Sequence, residues 1–386
     1  MSCIFFFSIP AHGHVNPTLP LVRELTARGH RVIYYETEEF REKIESAGAG
    51  FISIEPYMPP APENIDQLAG KDFAALIEMV AQTTLGLDQR IAEDAAREKP
   101  ALIIGDSVCF WGKLFAKKHS IPYVCSTTTF AFNDQSAKRM KPKLPELIRM
   151  ILGMPRIEKS MQTLRDHGYA AGSFVDVIQN DAKTDTIVYT SRMFQPESDS
   201  FGGNYAFVGP SVAALYPRKA HVRPLVYISL GTVLHNAPGF YRRCIRALAG
   251  MDCEAVISIG NRVDPASLGQ LPENVRIYPR VNQLEVLASA DVFLTHCGMN
   301  SVSESLLCGV PMVLFPQHSE EESVAGRAEE LGAGLRLKRA TSAGIRKALE
   351  TVLKGRRFKE AAQAIAEDFA KCGGAKEATD FIEARI

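Results

Sequence analysis

CIFFFSIPAHGHVNPTLPLVRELTARGHRVIYY, residues 3–35, decides the fold. Cys3–Ile9 is apolar at nearly every position, the mark of a strand buried on both faces. Thr18–Arg28 brings Leu19, Val22 and Leu25 onto one helical face, and Gly29 closes that helix, as a glycine just past a C-terminus does. Arg31–Tyr35 is a second apolar run. Strand, helix and strand in that order make the repeating unit of a parallel sheet. The opening run is short, has no basic leader and breaks at Pro10–His14, so it reads as structure rather than as a secretory signal.

The same alternation continues outward. A strand at Ala101–Gly105 ends in Asp106, and another spans Tyr123–Ser126. Between Asn133 and Asp185 the pattern turns helical and irregular, with Met140, Met150, Met154 and Met161; methionine-bearing helices suit varied apolar ligands as well as core gaps. Leu225–Leu230 is a second beginning, running into the turn Ser229-Leu230-Gly231-Thr232. Strands follow at Ala255–Ile259, Val275–Tyr278, Val292–Thr295 and Pro311–Phe315. The expectation is an α/β chain of two Rossmann-like domains with parallel sheets, residues 1–209 and 224–365. The linker is 210–223, which carries Pro210 and Pro217, and the helices at 366–386 are expected to pack back on the first domain. A ligand cleft is expected between the domains, at the carboxyl ends of the strands.

Composition narrows the function classes. The 386 residues are 46% apolar and 23% charged, with 44 acids against 44 bases, so no global field invites a nucleic acid or an anionic membrane. No apolar stretch reaches the roughly eighteen residues a membrane span needs. The eight cysteines are scattered without a C-x-x-C pair and read as reduced, which points to a cytoplasmic protein. Neutral charge leaves monomer and homodimer equally open.

Two places carry candidate chemistry. In Ala11-His12-Gly13-His14-Val15-Asn16-Pro17, a histidine on a strand-to-helix loop has the pKa of a general base near neutrality. A structural histidine is the commoner outcome, and two histidines at i, i+2 are also a metal-ligand spacing, although no Asp, Glu or Cys lies nearby in sequence. Asp106, ending another strand of the same sheet, is a partner able to orient an imidazole, or else a helix cap. The second place is Thr295-His296-Cys297-Gly298-Met299-Asn300-Ser301, running to Glu304 and Gly309-Val310-Pro311. It follows a strand and opens a helix, whose N-terminal N–H groups bind anions. Asn300 and Ser301 either add donors there or cap only their own backbone.

At these residues a family comes into view. Arg280 to Glu321 resembles the nucleotide-sugar signature of family 1 glycosyltransferases, which pair two Rossmann-like domains in the GT-B architecture. His12-Gly13-His14-Val15-Asn16-Pro17, with Gly29-His30 after its helix, resembles the bacterial macrolide-glycosyltransferase branch. Agreement covers most of the chain and is weakest between Asn133 and Asp185. The resemblance implies His14, not His12, as catalytic base and Asp106 as its orienting group. It implies Thr232, His296, Asn300 and Ser301 at the diphosphate, Glu304 at the ribose, Gln283 near ribose and base, and Val281 and Gly298 among the other donor-binding residues. Arg280 stands where the family has a tryptophan on uracil, and a guanidinium plane also stacks on a base. Glu320-Glu321 stands at the sugar-reading Asp-Gln pair; neither can donate as an amide does, and Glu321 is also placed to cap the helix that starts there.

The resulting expectation is inverting transfer of a sugar, glucose foremost, from a UDP-sugar to a hydroxyl of an apolar small molecule such as a phenolic, flavonoid or macrolide. Phe110, Phe130 and Phe132 are expected in the acceptor pocket. The UDP-sugar is a co-substrate; no cofactor and no metal are required. A nucleotide-sugar epimerase or hydrolase of the same fold predicts donor turnover without acceptor product, and a non-catalytic nucleotide-binding module leaves His14 and Asp106 without a task. A dehydrogenase is disfavoured because no G-x-G-x-x-G follows the first strand.

Overall fold

A computed structural model describes residues 1–60, 72–137, 144–172, 183–212, 215–231 and 237–386. The chain divides into two compact units, Met1–Ser211 with Cys372–Ile386, and Val212–Lys371.

The first unit is built on β1 (Cys3–Phe7), β2 (Arg31–Glu36), β3 (Gly50–Ser53), β4 (Leu102–Asp106), β5 (Tyr123–Thr127), β6 (Asp185–Val188) and β7 (Tyr205–Phe207). They form one parallel sheet in the order β3-β2-β1-β4-β5-β6-β7. β1 is apolar throughout because it feeds two cores. Phe5 and Phe7 face one side with Ile33, Tyr35, Trp111 and Phe115, while Ile4 and Phe6 face the other with Leu21, Val22 and Leu25. Ring pairs lock its register to β2, Phe6 on Tyr34 and Phe7 on Tyr35, each with centroids 4.6 Å apart.

The second unit repeats the plan with β8 (Leu225–Ser229), β9 (Glu254–Ser258), β10 (Val275–Tyr278), β11 (Val292–Thr295), β12 (Met312–Leu314) and β13 (Gly334–Arg336), ordered β10-β9-β8-β11-β12-β13 and parallel throughout. In each sheet the order reverses beside the first strand, between β1 and β4 and between β8 and β11. In sheets of this kind the crevice at that reversal, outside the carboxyl ends of the strands, is where ligands bind.

Several boundaries differ from the sequence reading. The segment 12–17 is not an open loop: His12–Val15 is a helical turn and Asn16–Thr18 a tighter one. Ala11 is extended and its carbonyl accepts from the N–H groups of His14 and Val15, which starts the turn at once. Within Asn133–Asp185 the helix Leu144–Asp166 holds Pro155 in its interior. Met161 is buried against the core, Met150 and Met154 are exposed, and Met140 lies outside the described residues. Residues 366–371 stay with the second unit, because the helix Arg356–Phe369 packs on the helix Met299–Leu307. The chain then rejoins the first unit. There the helix Gly374–Glu383 lies on Leu19–Ala27, burying Ala378 and Ile382 and setting Asp380 and Glu383 against Arg28 at 2.5 and 2.8 Å. The expected linker is already tied to the second unit at Arg218, which bonds Asp291 at 2.6 Å.

No helix among the described residues is long and apolar enough to cross a membrane, and no disulfide joins any of the eight cysteines.

Candidate active site

β1 and β4 are neighbours, so the residues just past their carboxyl ends meet. His14 rides the helical turn after β1, and Asp106 is the last residue of β4. His14 Nδ1 lies 2.8 Å from Asp106 Oδ2. The other oxygen, Oδ1, accepts the N–H of Val108 at 2.8 Å, which fixes the carboxylate plane. Asp106 is 1% exposed and His14 is part-exposed, so the pair is dry on one side and open on the other. Thr128 Oγ1 stands 3.1 Å from the same Nδ1. Sequence reasoning missed Thr128; its signal was the threonine run 127–129 beyond β5, the strand next to β4.

This geometry distinguishes the two histidines. With Nδ1 directed at a carboxylate, the hydrogen-bond pattern assigns its proton there and puts the lone pair of the ring on Nε2. His12 is engaged elsewhere: Nε2 is 3.1 Å from Glu39 and the ring meets Phe40 edge-on at 5.1 Å.

The equivalent crevice of the second unit lies past β8 and β11. Here His296 is 7% exposed, and burial pushes its pKa down to about 4, with the charge of His318 adding to the effect. It is therefore neutral near pH 7, a hydrogen-bonding group rather than a cation. Its Nδ1 has no hydrogen-bond partner among the described residues, and Nε2 is 4.0 Å from Glu321 Oε1. Two glycines make room for the ring. A Cβ on Gly231 would stand 2.4 Å from His296 Cε1, and one on Gly298 would stand 2.6 Å from Nε2. Gly231 also has φ +70°. Gly231→Ala is expected to lower the melting temperature by several degrees, from about 1–3 kcal/mol of overpacking with left-handed strain added. Differential scanning calorimetry checks this, and an unchanged melting temperature would mean that the ring moves freely.

Between β11 and its helix, Cys297 is buried at φ +74°, a strained conformation for a non-glycine residue and one that no sequence signal announced. The helix Met299–Leu307 then starts from Gly298 with no side chain capping it. Ser301 does not close on its own backbone: its Oγ is 3.2 Å from Gln283 Nε2, which also donates to Glu304 Oε2 at 2.8 Å. Tyr227 OH donates to the side-chain oxygen Oε1 of Gln283 at 3.2 Å. Gln283, Ser301 and Glu304 thus form one network, and burial raises the Glu304 carboxyl against the lowering effect of Gln283.

Other expected site residues are dispersed. Arg280 is exposed after β10, with Val281 half-buried beside it. Glu320 is exposed in the first turn of the helix Ser319–Glu330. Glu321 caps that helix, its Oε2 accepting the N–H groups of Gln317 and His318 at 2.7 and 3.2 Å. Thr232 lies outside the described residues. Phe110 is a core residue, 4% exposed, because it opens a helix whose apolar face covers the sheet. Phe130 and Phe132 follow β5 with partial exposure, Phe130 leaning on Phe194 at 5.6 Å.

Comparison with known proteins follows the same outline. Residues 242–383 match the family model of the erythromycin biosynthesis protein CIII-like C-terminal domain. The chain is 33% identical to the NDP-glycosyltransferase YjiC of Bacillus subtilis (strain 168), over 99% of this chain and 96% of that one. It is 28% identical to the oleandomycin glycosyltransferase of Streptomyces antibioticus, over 99% and 90%. Among solved structures, the glycosyltransferase of kitacinnamycin has a TM-score of 0.85 at 27% identity, covering 100% of this chain and 99% of that one.

Proposed function

The chain belongs to the family 1 UDP-glycosyltransferases of GT-B fold, and we propose that it moves a sugar, glucose foremost, from UDP to a hydroxyl of an apolar small molecule with inversion. The observation that carries the catalytic part is the 2.8 Å His14–Asp106 pair at the β1/β4 reversal. His14 Nε2 removes the acceptor proton as the hydroxyl oxygen attacks the anomeric carbon, and Asp106 holds the resulting imidazolium. The bond from that carbon to the diphosphate breaks as the new one forms, and its electron pair leaves with UDP. A single displacement of this kind inverts the centre.

The leaving diphosphate is assigned to the second unit. The uncapped N-terminus of the helix Met299–Leu307, with Asn300, offers backbone dipoles and donors. Neutral His296 adds a hydrogen bond, and the absence of a partner for its Nδ1 among the described residues supports a ligand-facing role for the ring. Thr232 joins them by its match to the family motif. Glu304 keeps one oxygen beyond its bond to Gln283 and is assigned to the ribose diol. Arg280 and Val281 are assigned to the base, and Glu320 with the uncapped oxygen of Glu321 to the sugar. No metal enters the scheme.

The acceptor wall is assigned to Phe130 and Phe132, and Phe110 is left in the core. The relative named for oleandomycin supports macrolides among the acceptors. Titration calorimetry with UDP, TDP and GDP tests the donor end. UDP is expected to bind tightest and GDP least, with Arg280→Ala narrowing the difference; equal binding of all three would remove base reading from this site.

A further inference from the structure

Beyond β5 the chain continues as the segment 128–133, which belongs to no helix or strand. It starts beside the base, with Thr128 Oγ1 3.1 Å from His14 Nδ1. It ends on the aromatic pair assigned to the acceptor, partly exposed Phe130 and Phe132, with Ala131 between them only 3% exposed. What fixes its shape therefore comes from elsewhere in the fold.

Much of that support comes from one side chain. Gln195 is 1% exposed and follows β6, the strand beside β5. Its Oε1 accepts the N–H of Ala131 at 2.9 Å, and its Nε2 donates to the Ala131 carbonyl at 3.0 Å. This is the two-bond exchange that a neighbouring strand makes with its partner in a ladder. The second hydrogen of Nε2 goes to the Pro196 carbonyl, also at 3.0 Å. Turned over, the amide would set its oxygen against two carbonyls and its NH2 against an N–H, so the surroundings admit one orientation.

The packing agrees with the hydrogen bonds. The Ala131 methyl clusters with Val188, Phe201, Tyr205 and Phe207. Phe130 leans on Phe194, the residue before Gln195, which is itself fully buried. Gln195 is set by a turn in which its own N–H reaches the Ser191 carbonyl at 2.9 Å. At the far end of the segment, Asn133 donates to Ser200 Oγ at 2.9 Å. Ala131 is held by backbone and side chain alike, and a phenyl ring stands on either side of it.

We propose that Gln195 is a positioning residue for acceptor recognition, holding Phe130 and Phe132 in place through the backbone of Ala131. Removing the amide takes these partners from the N–H and C=O of a buried residue, and the segment recovers them only by moving toward water. This role rests on the assignment of Phe130 and Phe132 to the acceptor.

Gln195→Met, close to glutamine in volume but without its donors and acceptor, separates the hydrogen bonds from the packing. In equilibrium dialysis with quercetin as the acceptor probe, it is expected to raise Kd by about tenfold or more, while Kd for UDP stays within about twofold. In turnover the loss is expected in the acceptor KM more than in kcat. In a background carrying Phe130→Ala and Phe132→Ala, the same substitution is expected to cost less than about threefold, because the wall it acts through is gone. Two readings on the wild type decide even if Gln195→Met does not fold. The Ala131 N–H is expected to be protected against hydrogen exchange, and saturating quercetin to slow it further by about threefold or more. Equal quercetin affinity in Gln195→Met and wild type, equal losses of quercetin and UDP affinity, an undiminished effect in the Phe130 and Phe132 background, an Ala131 N–H that exchanges as in an open chain, or one that bound quercetin does not slow would each overturn the proposal. Failure of the wild type to bind quercetin would overturn the acceptor assignment itself, and this role with it.

Discussion

His14→Ala is expected to lower kcat by about two to four orders of magnitude, the range for removal of a general base, while UDP binds as in wild type. The separation follows from where the residue sits. His14 and Asp106 belong to the first unit, and every group assigned to the diphosphate belongs to the second. The substitution removes the proton acceptor and leaves β8, β11 and the helix Met299–Leu307 untouched. Stopped-time assays of product, set beside calorimetry of UDP, check both halves. His12→Ala is the control: its ring is tied to Glu39 and Phe40, so its effect on turnover is expected to be mild. A His14→Ala enzyme at wild-type rate would remove this histidine from the reaction.

Asp106→Asn is expected to fold and to lose about three to four orders of magnitude in kcat, by the tautomer argument known for buried aspartate–histidine pairs. Asp106 makes two committed bonds, Oδ1 to the Val108 N–H and Oδ2 to His14 Nδ1. An asparagine side chain keeps the first only by turning its carbonyl that way, which presents its NH2 to His14. The amide then donates to Nδ1, the imidazole proton moves to Nε2, and the atom that should accept the substrate proton is blocked. Donor affinity is expected to stay unchanged. A fall in UDP affinity with kcat preserved would mean that Asp106 serves as a cap for the turn at Val108 and not as a partner of the base.

Much of this was legible in the chain because the central strands are buried on both faces. β1, β4 and β11 announce themselves as apolar runs, and placing Asp106 at the end of one and His14 and His296 just past the others needed nothing more. Three of the four edge strands were harder. Gly50–Ser53, Tyr205–Phe207 and Gly334–Arg336 are three or four residues long, too short to show a period, and tertiary pairing alone makes them strands. The helix Phe73–Glu98 escaped for a different reason: it mixes small residues, threonines and charges around much of its surface.

At the site, residue types were readable and pairings were not. Gln195 stands in no motif, and only the fold brings the backbone of Ala131 to its amide. Glu321 reads from the sequence both as a sugar ligand and as a cap, and the local backbone claims one of its oxygens as a cap. His296 is placed at the diphosphate by its motif, and burial makes it neutral there. Side-chain chemistry follows from sequence, while charge state follows from packing.

The central claim is single-displacement transfer of a sugar from UDP to an acceptor hydroxyl. The most direct test incubates the purified protein with UDP-α-glucose and a mixed panel of phenolic and macrolide acceptors. Products are resolved by mass spectrometry and their anomeric configuration is read by NMR. A hexose-shifted acceptor with the β configuration, formed in step with UDP, is expected. A product of retained α configuration, or UDP released with free glucose and no glycosylated acceptor anywhere in the panel, would contradict it.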